Sequence, residues 1–464
     1  MSANEASQPA DQETDVRLAV CMSGGGHRAT LFGLGALTYL VDAGANAKVT
    51  SIASVSGGSL TNGFVGQTLD FRTADAAAFR QQAAGPLGSQ LAKSGTLFAP
   101  LLTKIYLTLL FVGAAVVVAA LFVTPGPSFV RVLAFLVGLL AWGWLVGQRG
   151  LVCARAFETT LFSPGGRATP LSAVKRSGLD HVICSTEMRA AEQVYFAGDF
   201  IYSYWLGHGV PANLGLARAV QASACFPGGF PPTRLATKQH NFAGVPTQPD
   251  GPPEPPAQMV MVDGGVYDNM GDQWARGFDG RVKRWHDLGK GRQAPNRLVV
   301  VNASARVPWT PFRRGLIPLI GEVVSLLRVN SVMYINTTNV RRQDIVSSYD
   351  PNHPEKASAL PGALVQISQS PFGVADAFAS GAGPVAERAQ AVIALLGRAN
   401  RDKWAQIARD NAKVATSLNK MGIDVSARLM YQGYVVTMCN LHVIFGPEFP
   451  LLDVSFEQFR ELIA

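Results

Sequence analysis

An α/β fold, in which a parallel β-sheet is flanked by helices, is predicted by three features near the start of the chain. Two short apolar runs suited to buried strands occupy residues 16–22 and 49–55. A glycine run and a helical pattern lie between them, and a turn of small residues ends the second run. Strand, glycine loop, helix, strand and turn in this order are how a parallel α/β unit begins.

Each of these elements has its own local signal. Residues 16–22 read Val-Arg-Leu-Ala-Val-Cys-Met, which is apolar enough for a strand covered on both faces. Apolar residues then recur every three or four positions over 29–43, and Gly44 ends this helical pattern. Short apolar runs at 181–185, 259–262 and 298–302 predict later strands. Because long segments separate these runs, the sheet is expected to be interrupted by insertions.

The clearest insertion is a pair of apolar segments. Residues 105–123 carry no charge, and as a helix of about 1.5 Å per residue they would span roughly 28 Å, close to the hydrocarbon thickness of a bilayer. After a Thr-Pro-Gly-Pro-Ser turn, residues 129–147 form a second segment in which Arg131 can reach the far interface. A transmembrane hairpin over 105–147 is therefore predicted. Two buried core helices, or a hairpin dipping into one leaflet, are the alternatives.

Basic residues flank this hairpin on both sides, whereas its turn has no charge. They are Lys93 and Lys104 before it and Arg149, Arg155 and Arg167 after it. By the positive-inside rule, both flanks and the main body are expected in the cytoplasm. The net charge of +8 is modest for 464 residues, and the basic residues are scattered without a recognition motif. Nucleic acid is therefore not expected as a partner.

The remaining segments are distinguished by composition alone. Residues 1–15 are polar and acidic, so a disordered tail is expected and not a secretory signal. A main domain over 16–345 is interrupted by the hairpin and by a proline-rich loop at 239–258. Residues 346–464 show helical patterns but no motif, and the sequence assigns them no role.

Cysteine usage indicates reduced thiols. The five cysteines are far apart and mostly embedded in apolar runs: Cys21, Cys153, Cys184, Cys225 and Cys439. No spacing suggests zinc, and no dense pattern suggests a disulfide framework. Buried free thiols in a cytosol-facing body are predicted, with no metal site and no cofactor.

Three short motifs carry the chemistry. Ser56 lies in Ile-Ala-Ser-Val-Ser-Gly-Gly-Ser, the sequence form of a strand-to-helix turn that exposes a serine hydroxyl. Upstream, Ser-Gly-Gly-Gly-His-Arg at 23–28 offers backbone N–H groups without Cβ obstruction at the start of a helix. Downstream, Asp263 opens an Asp-Gly-Gly motif and supplies a carboxylate. Acyl transfer needs these three parts: a nucleophile, donors for an oxyanion and a base.

Each motif also has a simpler interpretation. Ser-Gly-Gly is ordinary loop composition, and Asp-Gly suits a tight turn. The pattern Gly-x-Gly-x-x-Ala at 24–29 also fits a dinucleotide-binding fingerprint. That fingerprint expects an acidic residue near the end of the second strand, where this chain has Ser-Val-Ser. The joint presence of the three motifs, each directly after a strand-like run, favours catalysis.

Together the motifs resemble those of the patatin-like phospholipase family. Further matches are Gln-Ala-Ser-Ala-Cys-Phe-Pro at 221–227 and Phe-Pro-Pro at 230–232, similar to the segment ahead of the family's catalytic Asp. The likeness covers roughly residues 16–302, apart from the hairpin and the proline-rich loop. It implies a parallel α/β sheet flanked by helices.

The resemblance also implies a role for each motif residue. Ser56 is the nucleophile and Asp263 its sole activating partner, in a Ser–Asp dyad that requires no histidine. The amides of the glycine loop form the oxyanion hole, and the glycines after each catalytic residue support its turn. The residues concerned are Gly24, Gly25, Gly26 and Arg28 for the loop and Gly58, Gly264 and Gly265 for the turns. His27, although inside a motif, is expected to be a packing residue.

Two positions depart from the family pattern. Ser54 stands where the elbow motif has its first glycine, and Ala29 where a glycine commonly follows the arginine. The form Ser-Gly-Gly-Gly-x-Arg-Ala is closer to the cytosolic phospholipase A2 branch of the same fold. Since serine is small, the elbow is expected to accept it and remain active.

The resemblance and the hairpin together imply a membrane-anchored serine acyl hydrolase that cleaves ester bonds of phospholipids or lysophospholipids. Membrane lipids are then both its substrates and its surroundings. A catalytically idle scaffold that keeps the fold, and an acyltransferase that uses the same nucleophile, are the alternatives. The head group, the acyl position, the chain length and the oligomeric state are left open.

Overall fold

The computed structural model of the chain describes residues 15–244, 254–304, 318–347 and 360–464. Nearly all of the expected N-terminal tail and the middle of the proline-rich loop lie outside these residues. The described residues form a mixed β-sheet covered by helices, together with a pair of long apolar helices.

Ten strands, counted over the described residues, pair into one sheet. They are β1 Leu18–Met22, β2 Val49–Ser54, β3 Asp180–Glu187, β4 Glu192–Phe196, β5 Ile201–Ser203, β6 Gly207–Gly209, β7 Thr233–Ala236, β8 Gln258–Asp263, β9 Arg297–Asn302 and β10 Gly362–Gln366. The strand order is β10-β9-β1-β2-β3-β4-β5-β6, with β8 paired to β3 and β7 to β8. The two strands that end at the glycine loop and at Ser56, β1 and β2, are therefore central neighbours.

The prediction of a parallel sheet is correct for one part of it only. Strands β10, β9, β1, β2 and β3 run parallel, whereas β4 to β8 pair antiparallel. For β4 the reason is its short connection from β3, because a parallel crossover needs a dozen or more residues and this one has four. The strands expected near 181–185, 259–262 and 298–302 are confirmed as β3, β8 and β9.

Helices occupy most of the remaining described chain. The first group is α1 Gly26–Asp42, α2 Gly57–Thr68, α3 Ala76–Phe79, α4 Gly85–Lys93, α5 Leu101–Val123, α6 Ser128–Gly147, α7 Arg149–Thr160 and α8 Leu216–Ser223. The second is α9 Gly265–Asp268, α10 Gln273–Arg276, α11 Phe278–Arg284, α12 Pro318–Ser347, α13 Phe372–Phe378, α14 Pro384–Leu396, α15 Arg401–Lys413, α16 Ile423–Ile444 and α17 Phe456–Ile463. Helix α1 begins three residues before the expected position, directly within the glycine loop.

The core depends on a segment that carries no motif. Helix α16 is mostly buried and packs along α1, the helix that follows the glycine loop. The two backbones meet at glycines: a Cβ on Gly35 would lie 2.0 Å from the carbonyl oxygen of Met430, and one on Gly433 2.1 Å from that of Phe32. Strand β10, which also follows residue 346, extends the same sheet beside β9. Residues after 346 therefore help to hold the glycine loop in place.

The apolar pair α5 and α6 is held together by hydrogen bonds but is hardly covered by the body. The Tyr106 hydroxyl donates to the carbonyl of Leu145 at 2.8 Å, and the Trp142 indole donates to that of Leu110 at 2.9 Å. Only Thr103, Tyr106 and Val117 are buried in α5, and α6 has no buried residue. Both helices are long and apolar enough to cross a membrane.

All five cysteines are buried free thiols, as expected from their spacing. Burial raises the pKa of the thiols of Cys153, Cys184 and Cys439 well above the usual range. They are therefore protonated, apolar components of the core.

Candidate active site

Ser56 lies at a sharp turn between β2 and α2. Its backbone has φ 50° and ψ −113°, a conformation that costs a non-glycine residue about 1–3 kcal/mol. The Ser56 N–H donates to the hydroxyl of Ser223 at 2.9 Å, which holds the turn. The next residue approaches the glycine loop so closely that a Cβ on Gly57 would lie 2.1 Å from the carbonyl oxygen of Gly26. The predicted strand-to-helix turn is confirmed.

Hydroxyl groups beneath the turn explain how it accepts Ser54. The Ser54 hydroxyl donates to the carbonyl of Val182 at 3.1 Å, which ties the end of β2 to β3. The hydroxyl of Ser59 donates to Ser54 at 3.1 Å and lies 2.9 Å from that of Ser223. Ser223 in turn donates to the carbonyl of Cys184. Serine at position 54 is thus a fully buried part of a network that supports Ser56.

The glycine loop places two backbone amides beside Ser56. Gly25 has φ 141° and Gly26 φ 58°, conformations that L side chains rarely adopt. The Gly24 N–H is already engaged, since it donates to the carbonyl of Asn269 at 3.2 Å. Gly25 and Gly26 donate no backbone hydrogen bond to any residue that the structure describes. Gly26 also begins α1, so its N–H lies at the positive end of a 17-residue helix.

Arg28 secures this loop from behind. Its side chain is buried and donates to the carbonyl groups of Ala303 at 2.9 Å and of Val414. Burial lowers the pKa of the guanidinium to about 10, so it stays charged at neutral pH. Arg28 therefore ties the loop to β9 and to the segment after α15, and it brings a positive charge close to Gly25.

Asp263 lies at the end of β8 and is buried against Ser56. Its N–H donates to the carbonyl of Cys225 at 2.9 Å, and its Oδ1 accepts the N–H of Gly265 at 2.8 Å. Burial raises the pKa of the carboxyl to about 7, although the Gly265 amide and the Ser56 and Tyr334 hydroxyls each favour the charged form. A Cβ on Gly264 would lie 2.3 Å from the carbonyl oxygen of Cys184, so glycine is required for this approach.

No histidine lines the space around Ser56 in the described part of the chain. His27 is buried and bridges the carbonyl of Asn419 at 2.8 Å and the hydroxyl of Thr96 at 2.9 Å. Burial lowers its pKa to about 4. His27 therefore has a neutral packing role, as expected, in which it attaches the start of α1 to the loop after α15.

Tyr334 is a neighbour of Asp263 that the sequence did not predict. It lies in the middle of α12 and faces the Asp263 carboxyl, whose pKa its hydroxyl lowers. By strict geometry this hydroxyl has no hydrogen-bond partner among the described residues, but it lies close enough to the carboxyl to favour its charged form. Tyr334 has no local motif, since the sequence around it is an ordinary helix, and only the fold brings it to the site.

A buried ionic cluster fixes α12 in this position. Arg341 pairs with Asp272 at 2.9 Å and with Asp268 at 3.4 Å, and both carboxylates are fully buried. Arg276 adds a second bridge, from Asp272 at 2.6 Å to Asp344 of the helix itself at 2.6 Å. Because Asp268 and Asp272 come shortly after Asp263 in the chain, the cluster links the candidate base to α12, the helix that covers it.

Two chambers meet at Ser56. One, of about 310 Å³, has mainly apolar walls that include Leu60, Phe230 and the first turns of α5. The other, of about 600 Å³, is bounded by Asp263, the glycine loop and α12, and contains polar side chains. Those side chains are Asn302, Ser304, Thr338, Asn339, Arg342 and Gln366. Arg342 makes no hydrogen bond or ion pair with a described residue.

An α/β body with a serine at a strained strand-to-helix turn, two amides beside it and a buried carboxyl opposite is the arrangement of an acyl hydrolase. A family model for patatin-like phospholipases matches residues 20–271, which is more than half of the 464-residue chain. The chain belongs to the patatin-like phospholipase family.

Two solved structures are distantly similar to this fold. Human GIVD cytosolic phospholipase A2 has 12% sequence identity and a TM-score of 0.45, over 98% of this chain and 64% of its own. VipD from Legionella pneumophila has 12% identity and a TM-score of 0.26, over 92% of this chain and 86% of its own. The chain thus spans less than two thirds of the human protein. No curated protein sequence matches it.

Proposed function

We propose that this protein is a membrane-anchored serine acyl hydrolase that cleaves ester bonds of phospholipids or lysophospholipids. The observation that carries the proposal is the placement of a strained, accessible serine hydroxyl beside a buried carboxyl whose pKa is about 7. A carboxylate with this pKa is a far better base at neutral pH than an ordinary aspartate. Among the residues that the structure describes, no histidine lines the space around these two groups.

The proposed reaction has two halves. As the Ser56 oxygen attacks the ester carbonyl, the Asp263 carboxylate takes the hydroxyl proton, and the tetrahedral intermediate carries its negative charge on the former carbonyl oxygen. Collapse expels the alcohol, which receives the proton from Asp263 and leaves an acyl-Ser56 ester. Water then attacks this ester, Asp263 accepts and returns the proton in the same way, and the fatty acid leaves.

Gly25 and Gly26 are proposed as the oxyanion donors. Their N–H groups have no backbone acceptor among the described residues, whereas that of Gly24 is used by Asn269. Preorganised amides at the positive end of a helix stabilise a developing oxyanion more than they stabilise a neutral carbonyl. Arg28 is proposed to act indirectly, by holding the loop and adding positive charge. Gly58, Gly264 and Gly265 are proposed to support the two turns.

The two chambers favour a substrate with one apolar and one polar end. Hydrocarbon fits the smaller, apolar chamber, because burial of each CH₂ group is worth about 0.8 kcal/mol. A phosphate-containing head group fits the larger chamber, where Arg342 and several hydroxyl and amide groups lie. The ester between the two ends would then lie at Ser56.

The hairpin is proposed to anchor the protein, with the catalytic body on the cytoplasmic side. Its two helices are 23 and 20 residues long and expose large apolar side chains along nearly their full length. Such exposure is unfavourable in water, whereas hydrocarbon accommodates it. The basic residues at both ends and the uncharged turn give the orientation.

The test is fatty-acid release from mixed phospholipid and lysophospholipid vesicles by detergent-purified protein. Wild type is expected to release fatty acid, and Ser56→Ala and Asp263→Asn are expected to reduce the rate at least a hundredfold. Ser172→Ala, at an exposed serine, and Asp287→Asn, at an exposed aspartate, are the matched controls and should keep the wild-type rate. Equal rates in wild type and Ser56→Ala would contradict the proposal.

A further inference from the structure

The first turns of α5 form one wall of the apolar chamber beside Ser56. Thr103, Tyr106, Leu107 and Leu110 line it. Their spacing of three, four and seven positions from Thr103 places them on one face of the helix. The opposite wall, which includes Leu60 and the turn at Ser56 itself, belongs to the catalytic body. The chamber is therefore built jointly by the apolar hairpin and the body.

This wall is shaped to receive a chain of hydrocarbon. The Tyr106 hydroxyl is satisfied by the carbonyl of Leu145, so it presents no free polar group to the chamber. Thr103 is the one residue of this helix face with an unsatisfied polar group. It is 2% exposed, and its hydroxyl has no hydrogen-bond partner among the described residues. A buried hydroxyl without a partner is unfavourable, and an oxygen of a bound ester would satisfy it.

The same helix continues away from the chamber with its other faces bare. Leu109, Phe111 and Val112 are exposed by 51%, 76% and 54%. If α5 lies in hydrocarbon along this stretch, the chamber opens beside the acyl layer of the membrane, so a lipid chain need not cross water to enter it.

We infer that the face of α5 formed by Thr103, Tyr106, Leu107 and Leu110 is an acyl-chain binding site that leads a long chain of a membrane lipid to Ser56. The hairpin is then part of the substrate site as well as an anchor. This inference rests on the proposed function and specifies which residues of the chain hold the substrate's acyl group.

The experiment compares one substitution on two faces of the same helix. Leu107→Trp and Leu110→Trp fill the chamber, whereas Leu109→Trp adds the same bulk on the exposed face. Each variant is assayed on two substrates. One is p-nitrophenyl butyrate, whose acyl chain is short, and the other is dioleoyl phosphatidylcholine in vesicles. The two chamber variants are expected to lower the ratio of long-chain to short-chain kcat/KM at least tenfold, and Leu109→Trp to leave it within twofold. Leu107→Phe, a smaller increase in volume, should give an intermediate ratio and guards against misfolding of the Trp variants.

The outcomes separate the two claims. Equal ratios in the chamber variants and in Leu109→Trp, with wild type active on both esters, would overturn the acyl site but leave the hydrolase intact. Hydrolysis of neither ester by wild type, or equal hydrolysis by Ser56→Ala, would overturn the proposed function and the acyl site with it.

Discussion

Asp263 gives the proposed chemistry a specific pH dependence. Its pKa is raised by burial to about 7, so the base is largely protonated below that pH and cannot accept the proton of Ser56. We therefore expect kcat/KM for a soluble short-chain ester to fall about tenfold per pH unit below pH 7. A rate that stays constant from pH 8 down to pH 5 would contradict this role.

The thermal stability of an Asp263 variant provides an independent check of the raised pKa. A carboxyl whose folded pKa lies above its unfolded value favours the folded state when protonated, and this stability is lost as pH rises from about 4 through 7. Asp263→Asn removes a buried charge at pH 8 but almost none at pH 5. Its thermal midpoint should therefore exceed that of wild type at pH 8 and match it at pH 5, while its activity is absent at both.

Tyr334 is expected to tune this pKa. Its hydroxyl favours the charged form of Asp263, so Tyr334→Phe should raise the pKa of the carboxyl and move the acidic limb of the pH–rate profile to higher pH. The rate above pH 8.5 should change little, because Asp263 is ionised there in both proteins. Tyr431→Phe, at a half-buried tyrosine of α16, is the control and should leave the profile unchanged. An unshifted limb in Tyr334→Phe would exclude this influence.

The motif residues of the candidate site could be identified from the sequence because each motif sets its own local backbone conformation. Small residues in the sequence predict local backbone conformations of this kind, namely the positive φ of Gly25 and Gly26 and the turn at Ser56. Ser223 lay within the 221–227 segment that carried the family resemblance, but its hydrogen bond to Ser56 is a tertiary contact. Tyr334 had no signal at all, since it reaches the site only through the docking of α12.

Helix α16 shows why the C-terminal segment matters to the site. It packs backbone against backbone on α1, whose first residue is Gly26 of the candidate oxyanion loop. Gly433→Ala would place a Cβ 2.1 Å from the Phe32 carbonyl oxygen, and neither backbone can yield without separating the helices. We expect a loss of about 1–3 kcal/mol or more, seen as a thermal midpoint lower by several degrees.

The matched control is Gly373→Ala in α13, where nothing lies within 4 Å of the new Cβ. Alanine favours a helix over glycine by up to about 1 kcal/mol, so this variant should be as stable as wild type or more so. Equal midpoints for the two alanine variants would mean that the close contact of α1 and α16 does not support the fold.

Element prediction succeeded where the local pattern and the tertiary role coincided. The largely apolar runs of β1, β2, β3, β8 and β9 form mostly buried strands, and burial on both faces favours such runs over strict alternation. Strands β5 and β6 have three residues each and contain Ser203 or His208, too little for a pattern to appear. The direction of β4, β5 and β6 depended on short connections, and that of β7 and β8 on pairing across long ones, which no local sequence encodes.

The whole molecule combines the catalytic body with the apolar hairpin. The Tyr106 hydroxyl and the Leu145 carbonyl are 2.8 Å apart, so the two ends of the hairpin lie side by side where they join the body. A short Gly-Ser linker can therefore replace residues 105–147. We expect wild type to stay with membranes through an alkaline carbonate wash and this deletion to be released. The released body should keep hydrolysis of p-nitrophenyl butyrate and lose most hydrolysis of long-chain lipid, because one wall of the chamber is missing.

Ser56→Ala with the hairpin intact is the control and should remain in the membrane fraction. A deletion variant that stays membrane-bound through the wash would show that the anchor lies elsewhere in the chain. The sequence predicted the hairpin from two long apolar segments joined by a turn, but the contribution of α5 to the chamber followed only from its docking against the body.

The central claim is that Ser56 becomes covalently acylated, and a fluorophosphonate that labels activated serines tests it most directly. Trypsin releases Ser56 in the peptide of residues 49–72, which also contains Ser51, Ser54 and Ser59, so fragmentation by mass spectrometry is needed to locate the adduct. We predict one adduct per chain, on Ser56, formed at pH 8 and lost in Asp263→Asn. An adduct on another residue, or fatty-acid release by a protein that forms none on Ser56, would contradict the account.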